Sequence, residues 1–277
     1  MVFTTRSRMR LLSLALAAGV SFLPGAASRA TAQTTRLPFT STFDAGNLSA
    51  WDGFRNNTGA TVVSQGCQSG SCLRTPLVAG TVSDNYGDFY FADHVGYGGP
   101  KVEEAWLTLW SKFDSGMSWP AEGHKIVILN LTDGVVSQRR YQVVIHIIGG
   151  QYVIMNTDID NWRFYNRYQN VGTPVGVRFG QWDKLKLHVR LNTPGVSNGI
   201  VQLWVNDQLK ADHRDVNIRF GSNYGMNKLI LSTYATPASP TAGIQWHDSV
   251  RLSLTDPDGG TGPTPPAPPT GVRIVTQ

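Results

Sequence analysis

Between Gln181 and Asn206, apolar and polar residues alternate on either side of a turn. Leu185, Leu187, Val189 and Leu191 interleave with Lys184, Lys186, His188 and Arg190. Beyond the Asn192-Thr193-Pro194-Gly195 turn, Val201, Leu203 and Val205 interleave with Gln202, Trp204 and Asn206. A period of two sends successive side chains to opposite faces, so the stretch predicts two antiparallel strands with one apolar face and one cationic, aromatic face. Pairing Leu191 with Val201 would set His188 against Trp204 and Lys186 against Asn206.

The same alternation predicts strands over 59–64, 71–77, 88–92, 103–113, 125–131, 139–148, 152–157, 182–191, 200–205, 228–233 and 244–254. Gly, Asn, Asp and Pro cluster between them, and no segment holds a helical period. Many short strands with turn signals predict an all-β sandwich of two antiparallel sheets. Along the fourth strand Ala105, Leu107 and Leu109 share one face, while Glu104, Trp106, Thr108 and Trp110 share the other. Around 140–148, Tyr141, Val143, Ile145 and Ile147 oppose Arg140, Gln142, Val144 and His146. Three polar-aromatic strand faces suit a cleft for an extended polymer laid across one sheet. The Asn161-to-Asn170 stretch NWRFYNRYQN, with Tyr165 and Tyr168, reads as an arginine-rich loop over such a cleft.

The ends change the charge picture. Arg6, Arg8 and Arg10 precede an apolar run from Leu11 to Leu23, and Ala30-Thr31-Ala32 supplies a cleavage site before Gln33. This predicts a secretory signal peptide over 1–32, too short in its apolar part to span a bilayer. The formal charge is +5; removing four of the 24 basic residues leaves 20 against 19 acidic, a net of +1. Nucleic-acid binding, which rests on a general cationic excess, loses its support. The chain is expected to be exported, monomeric and without a membrane span. A sandwich domain is expected over 33–255, and the Pro/Gly-rich 256–277 reads as a disordered tail. Cys67 and Cys72, in GCQSGSC, predict a short disulfide loop in an exported protein.

The segments EEAWLTLWSKFDSGMSWPAEGHKIVIL, RYQVVIH, GQWDKLKLHVRLNTPGVSNGIVQLWVNDQLK and IQWHDSVRLSL, in that order over roughly residues 40 to 255, resemble the concanavalin A-like lectin/glucanase superfamily. Within it they look most like polysaccharide lyases that cleave alginate and glucuronan. The resemblance implies a jelly-roll sandwich and β-elimination on an acidic polysaccharide, or else a non-catalytic carbohydrate-binding module of the same fold. Elimination needs a group that neutralises the uronate carboxylate, a base for the adjacent C–H and an acid for the leaving oxygen. On this reading Arg140 and Gln142 neutralise the carboxylate, and His146 or a tyrosine (Tyr152, Tyr165 or Tyr168) moves protons. Lys186, His188, Trp204, Trp106 and Trp110 hold flanking sugars.

No cofactor is implied for the chemistry. The superfamily's structural calcium would fall to Asp44, a carbonyl of Gly70 and Asp248, oxygen donors of the kind calcium takes; the two aspartates serve equally as turn caps. The Q-x-H strand of alginate-type lyases is here Q-V-V-I-H, which keeps Gln142 and His146 on one face but sets them about 13 Å apart. An Arg-x-Glu-x-Arg strand is absent. The only glutamates are Glu103, Glu104 and Glu122, so the paired carboxylates of a retaining glucanase are missing.

Overall fold

The computed structural model describes residues 35–92, 101–118, 123–132, 141–158, 163–168, 175–235 and 238–259. Among these the chain runs β1 (Phe39–Ser41), β2 (Gly53–Arg55), β3 (Thr61–Val63), β4 (Cys72–Leu77) and β5 (Tyr86–Tyr90). It continues with β6 (Glu104–Phe113), β7 (His124–Thr132), β8 (Tyr141–Ile148), β9 (Gln151–Asp158) and β10 (Arg163–Tyr168). The last five are β11 (Trp182–Arg190), β12 (Gly199–Val205), β13 (Gln208–Val216), β14 (Gly225–Ala235) and β15 (Gly243–Ser253).

Two antiparallel sheets result. The back sheet is ordered β13-β12-β11-β6-β15-β4-β3, with β1 added along β15. The front sheet is ordered β10-β9-β8-β7-β14-β5-β2. The expected all-β sandwich is the fold observed. One continuous core fills the space between the sheets, with Leu107, Leu109, Leu185, Leu187 and Leu203 from the back meeting Leu129, Val143, Ile145, Ile154 and Leu229 from the front. The alternation read from sequence sets these directions, because burying one face of each strand is what brings the sheets together.

Three expectations change. The hairpin register is Lys186 opposite Trp204 and His188 opposite Gln202, with Val189 paired to Val201. The register is therefore shifted by two residues from a Leu191–Val201 pairing, which leaves every side chain on its expected face. The segment Arg163–Tyr168 is a strand paired to β9, not a loop. Tyr152 is fully buried, and its hydroxyl donates to Asp183 Oδ2 across the core at 2.9 Å. Burial, reinforced by that carboxylate, pushes the Tyr152 hydroxyl well above its ordinary value, so it is a structural tie and not a candidate acid or base.

A second polar bridge links the sheets. Gln245 Oε1 lies 2.7 Å from His124 Nε2, and Gln245 Nε2 lies 2.5 Å from His247 Nε2. All three side chains are buried. Burial holds His124 down to about 4; burial, then the neighbouring His124, holds His247 down to about 3. Both rings are thus neutral in the folded protein, while the unfolded chain takes up their protons below the ordinary value of 6.5. Stability is complete above that pH and falls as acid is added towards about 4, at up to about 1.4 kcal/mol per unit for each ring. Urea midpoints should drop steeply from pH 6.5 to 4, and His247→Gln should flatten that fall; an unchanged slope counts against the bridge as its source.

Candidate functional site

The outward face of the front sheet carries three rows of side chains, each running across the strands. In the middle row Ile230 pairs with Ile128, Ile128 with Val144, and Val144 with Met155. These residues point away from the core yet are buried, and Ile128, Val144 and Ile230 form a small apolar cluster flanked by Tyr86. On one side runs a polar row in which Tyr90 pairs with Lys228, Lys228 with Asn130, Asn130 with Gln142 and Gln142 with Thr157. On the other, Tyr234 pairs with Lys125 and Lys125 with His146. The face is therefore an apolar floor between two polar walls.

Each wall is internally braced. Gln142 Nε2 donates to Asn130 Oδ1 at 2.6 Å, and the Thr157 hydroxyl donates to Gln142 Oε1 at 3.4 Å, which fixes the amide orientation. Lys228 pairs with Asp88 at 2.9 Å and lies over the Tyr90 ring. Lys125 Nζ lies 5.1 Å from the Tyr234 ring centre, and burial lowers its ammonium pKa. Tyr234 stacks on Tyr86 at 6.4 Å. Burial, with Asp84 beside it, raises the Tyr86 hydroxyl, and burial with Asp88 raises Tyr90, so both remain protonated donors at neutral pH.

The sequence-derived residues divide between the two sides of the molecule. Gln142 and His146 share this front face, two pleats apart with Val144 between them. Arg140 lies outside the described residues. Tyr165 and Tyr168 pair in register with Asn156 and Ile154, whereas Phe164 and Arg167 pair with Thr157 and Met155 of the floor and wall rows. Lys186, His188, Trp204, Trp106 and Trp110 sit on the outward face of the back sheet, so the single cleft expected from three strand faces does not form. Asn130, Lys125, Lys228, Tyr90 and Tyr234 complete the front face; strands were expected in their segments, but not the pairing of β7 with β8 and β14.

The back-sheet group is a closed network. The His188 ring stacks on Trp106 at 3.8 Å, its Nε2 meets Glu104 and its Nδ1 meets Gln202, each at 2.7 Å. Lys186 Nζ lies over Trp204 and pairs with Asp256 and Asp258. Lys184 pairs with Asp207 and Asp258. The start of the expected tail is thus tied to the hairpin, and its carboxylates pair with Lys184 and Lys186.

At one end of this sheet the Cys67–Cys72 disulfide closes the short loop the sequence predicted. Within it, Ser69 N–H donates to Asp248 and Ser71 N–H to Asp44, each at 2.9 Å. A Cβ on Gly70, at φ +39°, would fall 2.0 Å from Asp44 Oδ1. Asp248 is fully buried, has no cationic partner among the described residues, and burial raises its pKa. The structure therefore brings Asp44, Gly70 and Asp248 together. Two carboxylates around one glycine loop fit a hard cation such as calcium, although among the described residues no group of three or more His, Cys, Asp or Glu side chains gathers into a metal cluster.

The polysaccharide lyase 14 family model matches residues 162–236 of the chain, and no curated protein matches it in sequence. Solved structures share the fold at low identity. An endo-β-1,4-glucuronan lyase from the fungus Trichoderma reesei superposes with a TM-score of 0.59 at 15% identity, over 78% of this chain and 95% of that one. An alginate lyase of the marine Aplysia kurodai gives 0.57 at 12%, over 80% and 100%. One from a Chlorella virus gives 0.54 at 12%, over 74% and 93%. The chain therefore has the concanavalin A-like jelly-roll fold of these lyases, as the sequence resemblance implied.

Because His188 has both ring nitrogens engaged inside the sheet-face network, His188→Ala should cost about 1–3 kcal/mol of stability, read from urea midpoints. Glycan retention and any turnover should stay at wild-type level; their loss would place the back-sheet network in the substrate site.

Proposed function

We propose that this chain is an exported polysaccharide lyase that cleaves an acidic, uronate-containing polymer by β-elimination on the outward face of its front sheet. The observation that carries this is the spacing of the two walls. Gln142 and His146 stand about 13 Å apart along β8 on either side of the buried Val144, a separation that brackets one pyranose ring. A ring bound there meets amides on one side and an imidazole, an amine and a phenol on the other.

The chemistry follows from that placement. The N–H donors of Asn130 and Gln142, with Arg140 behind them in sequence, take charge from the uronate carboxylate, which acidifies the neighbouring C5–H. His146 removes that proton, the electron pair forms the C4–C5 double bond, and the C4–O bond breaks. The Tyr234 hydroxyl protonates the leaving oxygen, with the Lys125 ammonium over its ring stabilising charge that develops on the phenol. No cofactor enters these steps. Export is supported by the disulfide and by the arginine-led apolar N-terminus. A calcium ion held by Asp44 and Asp248 would brace the disulfide loop and take no part in elimination.

Incubation with glucuronan, alginate, pectate and glycosaminoglycans should give ultraviolet absorbance from an unsaturated product with one of them. His146→Ala and Gln142→Ala should each lower that rate about 10²- to 10⁴-fold. Retention of a polymer without any product would replace the lyase by a glycan-binding module. Calcium in excess should stabilise the fold by about 2.7 kcal/mol at a hundred times the dissociation constant, read as a raised melting temperature that a chelator reverses. Asp248→Asn should abolish the response; a calcium effect that survives it would remove the ion from this loop.

A further inference from the structure

The outward face of the back sheet carries a second feature, separate from the His188 network. Register places Trp182 of β11 beside Lys112 of β6, Lys112 beside Trp246 of β15, and Trp246 beside Arg74 of β4. Neighbours on either side of each strand point inward, including Asp183, Ser111, Gln245 and Leu73, so all four members of this row face out. Lys112 Nζ lies 4.9 Å from the Trp182 ring and 4.3 Å from the Trp246 ring, and donates to the carbonyl of Gly66. The lysine thus braces one side of Trp246 and ties the row to the disulfide loop.

A groove of about 520 Å³ opens beside Trp246, lined by Val62, Val63, Ser64, Gln65 and Arg74. Its parts are those of a small-ligand site: an aromatic ring, two valines, two neutral polar side chains and one cation. The volume suits one or two sugar rings. The cation decides the class. Lys184, Lys186 and Arg214 on the same sheet face each have an aspartate partner, whereas Arg74, like the exposed Arg190 and Arg251, has no carboxylate within ion-pair distance among the described residues, and of these three Arg74 lines the groove. A half-buried guanidinium beside an aromatic wall favours a carboxylate attached to a ring with an apolar face, because the N–H fork donates two parallel hydrogen bonds to the carboxylate oxygens.

We propose that Trp246 and Arg74 form a second, non-catalytic subsite for an acidic sugar residue on the side of the sandwich opposite the front-sheet rows. The ring stacks on Trp246 and the anion sits on Arg74, with Ser64 and Gln65 reaching its hydroxyls. The Cys67–Cys72 disulfide and the Lys112–Gly66 bond hold the 64–67 wall in place before ligand arrives. The identity of the ligand rests on Arg74 and the aromatic wall, so the subsite stands or falls separately from the elimination chemistry.

The test is a titration of the mature protein, labelled with ¹⁵N in its indole rings, with oligoglucuronate, oligomannuronate and neutral cello-oligosaccharide. The Trp246 indole signal is identified by its loss in Trp246→Phe. It should shift saturably with at least one uronate oligomer, less at high salt and far less with the neutral one. Arg74→Gln should weaken that titration about tenfold. The His146→Ala, Gln142→Ala double variant, inactive if the lyase reading is right, should titrate like wild type at this indole. An unmoved indole, an equal response to the neutral oligosaccharide, or an Arg74→Gln protein that titrates like wild type would overturn the subsite.

Discussion

The packing of the two sheets through their inward faces is the constraint on which everything else in this protein depends. Each strand has only two faces, and the core takes one of them completely: Leu107, Leu187 and Leu203 on the back and Val143, Ile145 and Leu229 on the front are excluded from solvent. Stacked sheets lie about 10 Å apart, so side chains on the two outward faces are separated by the whole thickness of the molecule. Polar residues on alternating strands therefore belong to one of two surfaces that cannot cooperate directly. Two polar pairs cross the core and join the sheets, Tyr152 with Asp183 and His124 with Gln245, each making the hydrogen bond that an isolated buried group would forfeit.

That division explains which parts of the site were legible in the sequence. Period two identifies the face of every residue in β6, β8, β11 and β12, and those assignments hold. It does not say which sheet a strand joins, and this is set by pairings far apart in the chain, such as β7 with β14 and β6 with β15. Gln142 and His146 could be grouped because they lie on one strand. Their neighbours Asn130, Lys125 and Tyr234 come from two other strands and carry no local signal. The hairpin at β11 and β12 looked like part of the same cleft because it too has a polar-aromatic face, but it lies in the other sheet.

Strands with weak apolar content escaped as well. In β13, QLKADHRDV, only Ala211 and Val216 are buried, and the strand forms the outer edge of the back sheet. An edge strand needs little hydrophobicity and tolerates charge, which protects its open side from pairing with another chain. The Asp256–Asp258 stretch was missed for a related reason. Proline and glycine around it read as a tail, while its anchoring is electrostatic, through Lys184 and Lys186, and leaves no hydrophobic mark.

Charge pairing then separates structural surface from available surface. On the His188 side of the back sheet Lys184 and Lys186 meet aspartates, and aromatic rings are stacked against Lys186 and His188, so a glycan arriving at them would have to displace existing partners. An ion pair partly sheltered from solvent resists such exchange, since separating it leaves two charges to be rehydrated or re-paired. Beside Trp246 the aromatic wall and Arg74 stand without that compensation, next to a groove already shaped by a disulfide. The front face follows a third pattern: its amides are bonded to each other, while Lys125 is drawn over a phenol and its ammonium is made more acidic by burial. On the proposed function, amides held in place on one wall and proton carriers in a poorly hydrated setting on the other are what elimination asks of a surface. That combination occurs where the apolar floor excludes water, and not on the better-charged hairpin.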